Sequence, residues 1–221
     1  MHRYDPARQK LALGLAFLAG AADATGFLAT GGYFASFMSG NTTRLGLDAV
    51  SDPAVALLPI AIIASFVTGV VIGALIATRL PSHRKRSLLS FLTVILGTGA
   101  LFWHFGSVLG FIVATATAMG LANNVFSRDG EVTVGVTYMT GALVRFGQGL
   151  AACLAGKPNQ STRGYGLLWT ALAIGAGAGA WAHNAAPAIA PVLLCAISFT
   201  LLLAAFGIER DSGVEAGGGA S

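Results

Sequence analysis

Six long apolar runs divide this chain and constrain its fold more than any motif does. They cover residues 11–30, 54–78, 88–105, 108–126, 164–183 and 187–207. A helix of about 20 apolar residues crosses the ~30 Å hydrocarbon core of a bilayer. Charged residues make up 10% of the chain, against about 25% in a soluble domain. So few charges cannot solvate a surface of this size, and the composition points to an integral membrane protein whose partner is the lipid bilayer. The 30 glycines agree, because small residues let transmembrane helices approach closely. The net charge of +4 and pI near 9.4 would suit nucleic acid only if the basic side chains shared a face. They lie between apolar runs instead and read as topology signals, which argues against a nucleic-acid partner. Cys153 and Cys195 sit in apolar surroundings without paired spacing, as packing residues do. His83, His104 and His183 show no ligand spacing, so no metal or cofactor is expected.

The basic lead (Arg3, Arg8, Lys10) before residues 11–30 could pass for a signal peptide. No convincing cleavage pattern precedes Asp23, so the run is read as a retained first transmembrane helix. Two further segments, 33–47 and 132–155, are too broken by polar residues to make good spans. Lysine and arginine placement decides whether they cross, since cytoplasmic loops carry the excess. With the N-terminus inside and neither segment crossing, 12 of the 13 basic residues lie inside and only Arg44 lies outside. If both cross, the cluster Arg79, Arg84, Lys85 and Arg86 faces outward together with Arg128. The first arrangement is better. The expected fold is an all-α polytopic bundle of six spans plus two broken or re-entrant segments, in a bacterial inner membrane with both termini cytoplasmic. It forms a single transmembrane domain over residues 1–221, with residues 208–221 as a polar, Gly-rich, disordered tail.

The two broken segments resemble each other. Met38-Ser39-Gly40-Asn41-Thr42-Thr43-Arg44-Leu45-Gly46 and Met139-Thr140-Gly141-Ala142-Leu143-Val144-Arg145-Phe146-Gly147 share Met-[Ser/Thr]-Gly-x-x-x-Arg-x-Gly. Each follows an apolar run carrying a polar residue, Asp23 in Gly20-Ala21-Ala22-Asp23 and Asn123 in Gly120-Leu121-Ala122-Asn123. The chain therefore reads as two repeats, about 11–105 and 108–207. Three spans per repeat invert the second relative to the first. Inverted repeats with interrupted helices recur in transporters, with the site near the midplane between them.

Asp23 is the one acidic residue well inside an apolar run. A charge there costs several kcal/mol, of order ~3, unless paired, hydrated or protonated, so it is a candidate for solute binding or proton coupling. The alternative is a carboxylate that locks two helices through hydrogen bonds. Asn123 and its neighbour Asn124 are candidate polar ligands, or interhelical hydrogen-bonding groups. Ser39, Gly40, Asn41 and Thr42, with Thr140 and Gly141, stand where a helix restarts, and free N–H groups there attract polar or anionic groups. A tight bend with capping residues fits the same sequence. Arg44 and Arg145 could flank an anion, or snorkel to the interfaces. Asn41-x-Thr43 also fits the short glycosylation pattern. Gly175-x-Gly177-x-Gly179 and Gly69-x-x-x-Gly73 lie inside apolar runs and read as close helix packing rather than as nucleotide fingerprints.

At Gly20-Ala21-Ala22-Asp23-Ala24 through Phe34-x-x-Phe37-Met38-Ser39-Gly40-Asn41, and again at Thr137-Tyr138-Met139-Thr140-Gly141, the chain resembles the YoaK-type family of bacterial inner-membrane proteins. That family is defined by sequence and has no assigned function. The likeness covers nearly the whole chain and implies a polytopic α-helical membrane fold. Ala122 stands where the family usually has glutamine, and Arg44 where it tends to be apolar. The expected function is a secondary transporter or channel for a small polar solute or ion, with Asp23 as the proton-coupling candidate and a homo-oligomer left open. The alternative is a non-enzymatic structural or regulatory membrane protein acting through helix contacts. An enzyme is not expected, because paired carboxylates, a histidine cluster and a nucleophile with its base are not recognisable.

Overall fold

The computed structural model describes residues 6–128, 131–132, 135–157 and 162–217. Among the described residues, eight α-helices follow in order: α1 (Pro6–Thr30), α2 (Met38–Ser51), α3 (Leu57–Arg79), α4 (Arg84–His104), α5 (Val108–Ala122), α6 (Met139–Leu154), α7 (Thr162–Ala185) and α8 (Ala190–Gly217). A two-residue antiparallel ladder pairs Ser127–Arg128 with Glu131–Val132.

Local chemistry sets several boundaries. Gly31 (φ +72°) ends α1, and the Gly32 N–H returns to the Phe27 carbonyl at 2.9 Å. That is a Schellman closure, which needs the left-handed conformation glycine adopts without strain. Gly106 (φ +79°) ends α4 in the same way, with the Ser107 N–H on the Phe102 carbonyl at 2.8 Å. The Ser107 hydroxyl then accepts from the Gly110 N–H and caps α5. The tight Gly106-Ser107 turn is thus one helix stop joined to one helix start.

Among the described residues, α1, α3, α4 and residues 190–207 of α8 are long and apolar enough to cross a membrane. α5 is apolar but has only 15 residues. The apolar run 108–126 therefore does not form one helix: from Asn123 the chain leaves α5 in turns. α7 has the length, but alanine and glycine occupy much of its middle. α8 runs on to Gly217, through most of the tail expected to be disordered. Extending an existing helix avoids the nucleation step that a new one requires. Residues 218–221 lie outside the described residues.

Helix α1 is the most enclosed, and its buried side includes Leu11, Leu15, Leu18, Ala19 and Ala22. It packs chiefly on α7, and α3 chiefly on α5. α4 packs on α5 and α8, α1 on α8 and α5, α6 on α7, and α2 on α3. Glycines set the closest crossings. A Cβ at Gly69 would meet the Thr117 backbone, and one at Gly120 the Phe66 backbone, where α3 crosses α5. Gly175 meets the Phe17 backbone and Gly20 the Leu172 backbone, where α7 crosses α1. Between α4 and α8, the Thr93 and Ser198 hydroxyls lie 2.7 Å apart. Val67, Val71, Ile72 and Leu75 of α3 point outward, an apolar surface suited to lipid.

Candidate functional site

After Thr30 the chain reverses and runs back along α1. The Thr30 hydroxyl accepts from the Tyr33 N–H at 3.0 Å. Ala35 lies against Gly26. Asp23 then accepts from the Ser36 N–H (2.5 Å), the Ser36 hydroxyl (2.8 Å) and the Phe37 N–H (3.2 Å). From Thr30 to Asp23 is seven residues, roughly 10 Å of helix. α2 starts at Met38, beside Asp23, and runs outward again. Further along α2, Asp48 accepts from the Tyr33 hydroxyl at 2.7 Å, and the Arg44 guanidinium lies 5.1 Å from the Tyr33 ring centroid. Burial and the Asp48 carboxylate push the Tyr33 phenol above its ordinary range. From α2, Asn41 clamps the same strand of chain. It accepts from the Phe34 N–H at 2.9 Å and donates to the Phe34 carbonyl at 2.7 Å.

The second copy repeats the central contact. The Thr137 hydroxyl donates to Asn123 Oδ1 at 3.1 Å. Thr137 stands two residues before Met139, as Ser36 stands two before Met38. The Asn123 amide donates to the Met119 carbonyl, and the Asn124 amide to the Val70 carbonyl, both at 3.1 Å. Arg145 donates to the Tyr165 hydroxyl at 2.6 Å and lies over that ring.

The starts of α2 and α6 line one cavity. It has a volume of about 330 Å³ and is lined by Ser36, Met38 and Ser39 from one copy and Thr137, Thr140 and Gly141 from the other. Neither N-cap residue supplies a side-chain cap; the Met38 N–H goes to the Ser36 carbonyl at 3.0 Å, and the other first-turn N–H groups depend on water or a ligand. A second cavity, of about 580 Å³, adjoins it through Phe37, Thr137, Met139 and Thr140. Asp23 lines this one, among Phe27, Phe34, Phe37 and Trp169.

Of the residues singled out by sequence, Asp23, Ser39, Thr140 and Gly141 line these two cavities, whereas Gly40 borders a separate hollow with Arg44. Asn41, Asn123 and Asn124 are buried, with their amides committed to the protein. That burial also removes Asn41 as a glycan acceptor. The Thr42 hydroxyl bonds back to the Met38 carbonyl. Arg44 and Arg145 stack on different tyrosines and line neither cavity, so they do not flank a common anion there. Sequence reasoning assigned no site role to Ser36, Thr137 or the aromatic lining. The register of Ser36 and Thr137 against the two methionines was a readable signal. The aromatics gave none, because phenylalanine and tryptophan are equally at home facing lipid.

Apolar helices long enough to span, close glycine crossings and an apolar outer surface define a multi-pass helical membrane protein. The model of the family described as "Protein of unknown function (DUF1275)" matches residues 11–206, and the chain belongs to that family. A curated relative, the UPF0700 transmembrane protein RA0705 of Rhizobium meliloti (strain 1021), is 36% identical over 199 residues, 86% of each chain. Both matches agree with the resemblance read from the residues around Asp23 and Met38. No solved structure matches.

Proposed function

We propose that the protein is a secondary transporter or channel for a small polar solute or ion, coupled to protons through Asp23. One observation carries the reading: the uncapped starts of two short helices, one from each motif copy, face each other across a cavity beside an intramembrane carboxylate. The fold-back from Thr30 to Ser36 supports a first segment that enters and leaves on one side. Irregular backbone at that depth is tolerated where it lines a cavity.

The packing supports two repeats. Exchanging α1 with α5, α2 with α6, α3 with α7 and α4 with α8 turns each extensively packed helix pair into another such pair, or into itself. In this reading α5 and α7 complete six spans in a bacterial inner membrane, α2 and α6 are opposed re-entrant helices, and both termini are cytoplasmic.

Asp23→Asn is a clean test because the second half already uses asparagine at the matching place and keeps its contact to Thr137. Proteoliposomes should show solute-driven proton movement that Asp23→Asn abolishes. Absence of flux and binding across many solute classes would overturn the proposal. A non-enzymatic structural role is the second reading, favoured by the three hydrogen bonds that Asp23 accepts. It predicts stable co-purification with one partner, unchanged by Asp23→Asn.

A further inference from the structure

Among the described residues, the 580 Å³ cavity is lined by one ionisable side chain, Asp23, and by neither lysine nor arginine. The three groups bonded to the carboxylate are neutral donors: two backbone N–H groups and the Ser36 hydroxyl. They stabilise a charge without cancelling it. The opposite half adds none, since Asn123 is neutral and its amide is spent. The remaining wall is largely apolar and aromatic. Phe27, Phe34 and Phe37 form a continuous ring cluster, with centroids 5.0 and 5.2 Å apart, and Trp169 contributes a fourth ring from α7.

The lining discriminates among ligand classes. An anion would meet the carboxylate and find no cationic partner. A small metal cation needs several oxygen ligands in place of its water, and beside Asp23 the wall offers only Thr140, Asn184 and Thr137, whose hydroxyl is engaged with Asn123. A neutral apolar molecule would cover the carboxylate and leave its charge unpaired, which is costly. A cation with an apolar body meets both parts of the wall: the charge faces Asp23 and the ring faces, and the body fills the rest. The volume lies within the roughly 300–1,000 Å³ of ordinary small-molecule sites.

We infer that this cavity binds a monovalent organic cation with an aromatic or bulky aliphatic body, held between Asp23 and the Phe27–Phe34–Phe37–Trp169 wall. This names the substrate class of the transport site and rests on the transporter reading for its purpose, though not for its chemistry.

The test is isothermal titration of the full chain in uncharged detergent with three probes of similar size: benzyltrimethylammonium, phenylmethanesulfonate and benzyl alcohol. The cation should bind saturably, and the anion and the alcohol at least about tenfold more weakly, a difference of ~1.4 kcal/mol. Asp23→Asn should weaken the cation about tenfold or more and leave the alcohol unchanged. Trp169→Leu keeps the charge and should weaken the cation severalfold, so the inference stays testable if Asp23→Asn fails to fold. Equal binding of cation and alcohol, no cation binding, or full affinity in a folded Asp23→Asn variant overturns it. Proteoliposome flux separates the two claims. Asp23-dependent transport of another solute without cation binding keeps the transporter and removes this ligand class. Selective cation binding without flux keeps the ligand class and removes the transporter.

Discussion

Asp23 and Asn41 hold one short stretch, residues 34–37: Asn41 bonds Phe34, and Asp23 bonds Ser36 and Phe37. Asp23 faces a cavity while it does so, whereas Asn41 is fully buried. That difference separates a candidate ligand from a structural clamp. Asn41→Ala leaves both the N–H and the carbonyl of Phe34 without their partner, and each buried unsatisfied group costs about 1–3 kcal/mol. The variant should lose several degrees of thermal stability in detergent, read by circular dichroism, and cation binding should fall only as far as α2 loosens. An undiminished melting temperature would show that the clamp does not hold the fold-back. Asp23 could be picked from the sequence because one carboxylate in an apolar run stands out energetically. The fate of Asn41 could not, because an amide that binds a solute and one that bonds backbone seven residues away have the same sequence.

Helix crossings show the same division between what pattern fixes and what contact decides. Gly175, Gly177 and Gly179 look alike in sequence. Gly175 and Gly179 rest on the α1 backbone, at Phe17 and Ala21, while Gly177 has open space around it. A helical face recurs every three to four residues, so the middle glycine must point elsewhere. Gly175→Ala should therefore drive α7 off α1 and destabilise the protein by about 1–3 kcal/mol, the usual range for overpacking. Gly177→Ala should be neutral or stabilising by up to ~1 kcal/mol, from helix propensity alone. Parallel melting curves of the two variants check this, and equal losses would contradict the crossing. The apolar runs announced most of the long helices in the same way. They did not announce the reversal that brings Ser36 back to Asp23, because an apolar run marks where a helix can lie and not where the chain turns back; the helix restarts at Met38 and Met139 were legible only in the repeated motif.

At the scale of the whole molecule, the charge count and the packing exchange are independent arguments for one arrangement. The first uses only basic residues in loops, and the second only which helices touch. In the proposed topology the charge count puts the outer ends of α2 and α6 on opposite faces of the membrane, and the packing exchange fits the twofold relation this needs, although their starts share a cavity. The chain carries a convenient reporter, since Cys153 is exposed near the end of α6. Val50 is exposed near the end of α2. In a Cys195→Ala background, intact cells treated with a membrane-impermeant maleimide should label Val50→Cys directly. Cys153 should react only after permeabilisation. Introducing each reporter in the absence of the other avoids cross-reading. Labelling of both from one face would remove the inverted repeat, and with it the claim that the two motif copies approach the site from opposite sides. The Asp23 cavity would survive that result, because its walls are set by how α1, α6, α7 and the fold-back at Phe34 and Phe37 lie together and not by which side each helix left from.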